Sequence, residues 1–146
     1  MPDEPAQSEA PAMTVIQETT VAERVAQALA FLAQAEAEFA VGDTRQAAEK
    51  LYGASVQAVI AASIQRGWDY HSHRANKNAA RRLAKEYEDP FLSTGFTAAE
   101  KLHIHFHHGG MEDYQITTDR HDVRSYVKRI LKLVEEHEAD RAASRR

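Results

Sequence analysis

The sequence predicts an all-α protein, an antiparallel up-and-down bundle of four to five helices. Three observations carry this. Apolar residues recur at intervals of three and four along successive stretches, the period of a helix with one buried face. Gly42, Gly67, Asp89-Pro90 and Gly109-Gly110 interrupt those stretches and leave mostly short connections. No stretch shows the alternation of a strand, and 26 of the 146 residues are alanine, the strongest helix former.

Thr20-Val-Ala-Glu23 is a capping box and opens the first helix, which carries Val21, Val25, Ala28, Leu32, Ala35 and Phe39 on one face. Gly42 stops it, and Asp43 offers the next cap at once, so the second helix must run back antiparallel to the first. That second helix, about Thr44–Arg66, places Ala47, Leu51, Ala54, Ala58 and Ala62 on one face, and Tyr52, Val56, Val59 and Ile60 widen the apolar surface. It is therefore the helix expected at the centre, its alanines allowing close neighbours. Gly67 ends it, Trp68–His73 is a loop, and Ser72 caps a third helix over about His73–Glu88. Asp89-Pro90 breaks that helix. A fourth starts either near Phe91 or at the box Thr97-Ala-Ala-Glu100 and reaches about His107. Met111–Thr117 reads as an acidic loop, and Thr118 or Asp119 caps a last helix to about Glu138.

In domain terms, residues 1–17 read as a disordered leader, 18–138 as one helical bundle and 139–146 as a frayed basic tail. There is no cysteine, which excludes disulfides, thiolate nucleophiles and cysteine-ligated zinc. No export signal is visible, the longest uncharged run, Leu51–Gln65, is too short for a membrane span, and the expected compartment is the cytoplasm. The net charge of −4 is unevenly placed. Residues 51–85 hold six basic groups against one acidic group, so an anion-binding surface is expected there or at the basic C-terminal end. A phosphate-cradling glycine loop, a Gly-x-Ser-x-Gly nucleophile elbow and a helix-turn-helix with a basic second helix are all absent.

The hairpin Ala37-Glu-Phe-Ala-Val-Gly-Asp-Thr-Arg-Gln-Ala-Ala-Glu-Lys-Leu-Tyr52 resembles the opening hairpin of the HEPN superfamily (higher eukaryotes and prokaryotes nucleotide-binding). Arg66-Gly67-Trp68, Ser72-His73-Arg74 and Leu102-His103-Ile-His-Phe106 resemble one branch of it, an archaeal and bacterial paralogous-repeat family. That branch typically shows Leu-His-x-Asn-Phe-Tyr at the last position, where this chain has His105 and His107 for the Asn and the Tyr. The resemblance spans about residues 20–135. It implies a helical bundle, often a homodimer, in a group that includes RNases, toxins of toxin–antitoxin pairs and partners of nucleotidyltransferases. The branch itself has no firmly assigned activity.

Three functions follow as expectations. The first is a binding domain for a nucleotide, an RNA or a protein partner, with Arg74, Lys77, Arg81 and Lys85 forming a cationic stripe at helical spacing. The second is a metal-independent RNase. Nuclease members of the superfamily carry an Arg followed four to six residues later by a His, and Arg66 stands at that spacing from both His71 and His73. An imidazole base and a guanidinium at the phosphorane suit such chemistry. These residues join the second and third helices, whereas the nuclease signature usually belongs to a later part of the bundle. The third is a metal site, zinc or another divalent cation. His103 and His107 are spaced i, i+4, with Glu100 one turn before His103. The loop carrying His71 and His73 is expected to face the His103/His107 pair at one end of the bundle.

Overall fold

The computed structural model describes residues 19–145, and the expected leader lies outside them. Five helices follow one another: α1 (Val21–Ala40), α2 (Thr44–Arg66), α3 (His73–Glu86), α4 (Phe91–His108) and α5 (Asp113–Ser144). No strand occurs among the described residues, so the helical bundle is the architecture.

The local chemistry explains most boundaries. Thr20 and Glu23 close a reciprocal capping box at the start of α1. Asp43 accepts the amide of Gln46 at the start of α2, and Ser72 accepts that of Ala75 at the start of α3. Gly67 ends α2 in the left-handed conformation (φ 73°), which a residue without Cβ adopts at no steric cost.

Three boundaries differ from the sequence pattern. Helix α3 stops at Glu86, two residues early, because Glu88 takes a positive φ of 50° and the Asp89 amide turns back to the carbonyl of Ala84. Helix α4 takes the earlier of its two expected starts, at Phe91, since the Asp89 carboxylate accepts the Phe91 amide and Leu92 and Phe96 are both needed in the core. Helix α5 starts at Asp113, inside the expected acidic loop. The Gln115 side chain accepts the Glu112 amide at 2.8 Å, and acidic groups suit a helix N-terminus, where the peptide dipoles point their positive ends. It also continues past Glu138 to Ser144.

Helix α2 is the axis of the bundle and touches all four other helices. Ala47, Ala48, Ala54, Ala58, Ala61 and Ala62 are fully buried along it, so neighbouring backbones approach closely on several sides. Larger side chains arrive from the other helices: Leu83, Leu92, Phe96, Leu102, Val123, Tyr126 and Ile130. Each such burial is worth roughly 1.5–3 kcal/mol in removed apolar surface. Helices α4 and α5 approach closely where Gly95 lies against the Tyr126 ring and the Tyr126 hydroxyl donates to the carbonyl of Leu92 at 2.7 Å. No described helix is long and apolar enough to cross a membrane.

Candidate functional site

Polar side chains converge where α2, α3 and α4 meet. Helix periodicity places them: Glu49 and Tyr52 lie one turn apart on α2, His73 and Lys77 one turn apart on α3, and Glu100, His103 and His107 on successive turns of α4. The Tyr52 ring is the hub. It stacks on His103 with centroids 4.3 Å apart, and its hydroxyl lies 3.1 Å from His73 Nδ1.

His73 Nε2 lies 2.6 Å from Glu100 Oε2. A carboxylate only accepts, so Nε2 carries the proton and, in the neutral ring, Nδ1 accepts from the Tyr52 hydroxyl. Lys77 Nζ stands 3.7 Å from the other Glu100 oxygen. On the far side of Tyr52, His103 Nδ1 lies 2.7 Å from Glu49 Oε1, and His107 meets His103 edge-on at 4.7 Å between centroids. Burial and the two flanking carboxylates, Glu100 and Glu49, hold the Tyr52 phenol above its ordinary pKa, so it stays a neutral donor.

The sequence-derived candidates thus separate. His73, Lys77, Glu100, His103 and His107 belong to one connected network through Tyr52. Arg66 and His71 do not join it. The Arg66 guanidinium is almost wholly buried and is used on the carbonyl of Ala62, the Gln65 side chain, Glu86 and the Tyr87 hydroxyl, with Trp68 beside it. His71 is exposed, bound to Asp69 at 2.9 Å and stacked on Tyr70. Its hydrogen bonds hold the Asp69 carboxyl below the usual carboxylate range.

Arg74, Arg81 and Lys85 lie exposed on α3, and no described carboxylate pairs with any of them. Arg82, also exposed, lies 4.0 Å over the Trp68 ring. A hollow of about 250 Å³ opens between α3 and the loop, lined by Trp68, Asp69, Ser72, Arg74, Asn78 and Arg82 among others.

Glu49 and Tyr52 were not among the residues the sequence singled out. One signal was available: Glu49 is the sole acidic residue of α2, whose other charged residues, Arg45, Lys50 and Arg66, are basic. Periodicity alone does not show that it faces His103, because that depends on the rotation of α2 against α4.

The class is now defined: a five-helix bundle with a histidine- and carboxylate-rich polar cluster and a cationic helix face beside it. Residues 23–127 match the model of the archaeal PaREP1/PaREP8 family, and the chain belongs to that family. A crystal structure of a protein from Sulfolobus solfataricus shares the fold, with a TM-score of 0.64 over 73% of this chain and 94% of that one, at 21% identity. No curated protein matches significantly.

Proposed function

We propose that this chain is a helical binding domain for phosphodiester ligands, RNA foremost, which dock on the exposed face of α3. One observation carries the reading: Arg74, Arg81 and Lys85 stand at i, i+7 and i+11, exposed and without carboxylate partners. In a chain of net charge −4, unpaired cations aligned on one helix are a local feature that wants an anion. They span about 16 Å of helix, over which a nucleic-acid strand presents several phosphates. Arg82 and Trp68 flank the stripe and add a flat surface suited to a base. The resemblance to nucleotide-binding HEPN domains, some of them in toxin–antitoxin pairs, points the same way.

In this reading Arg66 is a structural residue. Four of its five N–H groups are already engaged at the joint of α2 and α3, which leaves little for a phosphorane. The reading is therefore binding rather than cleavage. The test is fluorescence anisotropy of a labelled single-stranded RNA across a salt series. The triple substitution Arg74→Ala, Arg81→Ala, Lys85→Ala is expected to flatten the slope of log K against log salt by about 2, near 0.7 for each lost cation. An unchanged slope with unchanged affinity refutes the reading.

A further inference from the structure

Glu49, His103 and His107 each offer one ligand atom, and the three atoms lie within 4.8 Å of one another. They come from two helices that the buried alanines of α2 pack closely together, so their backbones are fixed. His103 and His107 are one turn apart on α4, and Glu49 reaches across from α2. From the geometry we propose that these three residues bind a divalent transition metal of the zinc class. The donors are a Glu49 carboxylate oxygen, the His103 Nδ1, which releases on metal binding the proton it shares with Glu49, and one His107 ring nitrogen.

Several features support this donor set. Two imidazoles and a carboxylate suit zinc and its neighbours in the transition series, whereas magnesium and calcium prefer oxygen alone. Metal–ligand bonds near 2.0–2.2 Å in a tetrahedral site require the ligand atoms to stand about 3.3 Å apart. Glu49 and His103 are already closer than that, at 2.7 Å. On binding, that hydrogen-bonded pair opens slightly and the exposed His107 ring swings inward, which a solvent-facing side chain does at little cost.

Charge also favours the assignment. His103 is the one described partner of Glu49, and no described lysine or arginine pairs with it. The neighbouring cations have other partners: Lys50 pairs with Glu38, and Arg45, which stays close by, donates to the carbonyl of Phe106. A dication there meets a carboxylate that no described basic side chain pairs. The stacked Tyr52 ring fixes the plane of His103 from behind, a supporting contact of the kind that orients metal ligands. Three protein ligands with one of them exposed leave a coordination position open to water or to a small oxygen ligand.

Glu100, the carboxylate that helix spacing alone would choose, is held by His73 and Lys77 instead. The metal site is also independent of the phosphodiester reading, since it uses none of the α3 residues Arg74, Arg81 or Lys85.

The experiment uses untagged full-length protein, stripped with chelator and dialysed. Zinc is titrated calorimetrically, and cobalt is followed by the intense visible bands of tetrahedral Co²⁺. One zinc per chain is expected. His107→Ala, at an exposed position that leaves the core intact, and Glu49→Gln are each expected to weaken zinc by at least about a hundred-fold. His108→Ala is expected to leave affinity within about two-fold of the parent chain, and Glu100→Gln, which reaches His103 only through His73 and Tyr52, to cost less than Glu49→Gln. Failure to bind zinc stoichiometrically overturns the proposal. So does wild-type affinity in His107→Ala, or a loss in Glu100→Gln equal to that in Glu49→Gln.

Discussion

Replacing Gly95 by alanine sets helix propensity against packing, and the structure decides which wins. A methyl group at this position would stand 2.7 Å from Tyr126 Cγ and 2.9 Å from Cε1, and closer still to Cδ1. Ordinary carbon–carbon contact is about 3.5–4.0 Å, so either α4 and α5 separate or the ring moves. The ring has little freedom. It is fully buried, it meets Phe91 edge-on at 5.7 Å, and its hydroxyl is tied to Leu92. Alanine in place of a mid-helix glycine gains about 1 kcal/mol of propensity. Overpacking costs about 1–3 kcal/mol, and loss of the Tyr126–Leu92 hydrogen bond adds about 1 kcal/mol more. The expected net effect is destabilisation by about 1–3 kcal/mol, a fall in Tm of roughly 5–10 °C by calorimetry. Gly53→Ala is the control. Its methyl would meet the half-buried Phe31 ring, two edge carbons at 3.1 Å and Cγ at 3.6 Å, and that ring can yield. A Tm change near zero is expected there. Gly95→Ala with a Tm at or above that of the parent chain would refute the close-packed α4–α5 seam.

The other predictions test the roles assigned above. Arg66→Ala should destabilise the fold by about 2 kcal/mol, because Glu86 and the Ala62 carbonyl lose a largely buried partner, while its RNA affinity at a temperature where it is folded stays unchanged. A selective loss of RNA affinity with full stability would instead make Arg66 part of a ligand site. At high pH, burial raises the Tyr126 phenol, and burial with Glu100 and Glu49 raises that of Tyr52. A raised folded-state pKa means stability is fully present below the ordinary tyrosine value of 10 and falls as pH rises above it, since the unfolded phenols ionise first. Denaturant titrations above that pH should therefore show stability dropping, and Tyr126→Phe should make the drop shallower by up to about 1.4 kcal/mol per pH unit. An equal slope in the variant would show that Tyr126 is not shielded.

The polar network was half legible in the sequence. His73, Lys77, Glu100, His103 and His107 could be singled out from spacing and residue type; of the loop pair expected to face the α4 histidines, His73 shares Tyr52 with His103, and His71 stays outside on Asp69. What spacing could not supply was pairing. Residues one turn apart on α4 suggested Glu100 as companion of His103, yet the carboxylate beside His103 is Glu49 from another helix. Likewise Arg66 and His71 matched a catalytic spacing, but α2 ends with Arg66 turned into the joint with α3 while His71 faces solvent.

The sequence by itself determined an all-helical bundle of four to five helices and the central place of α2, because periodicity, caps and glycines act within a few residues of one another. It also showed the basic residues Arg74, Lys77, Arg81 and Lys85 of α3 at helical spacing, but not that Lys77 turns to Glu100 of another helix. The tertiary structure alone decided which residues meet across helices. The rotation of α2 against α4 brings Glu49 to His103, and the approach of α4 to α5 puts Tyr126 over Gly95. Those contacts follow from how the whole core packs, and a buried alanine seam permits several rotations that a local pattern cannot tell apart.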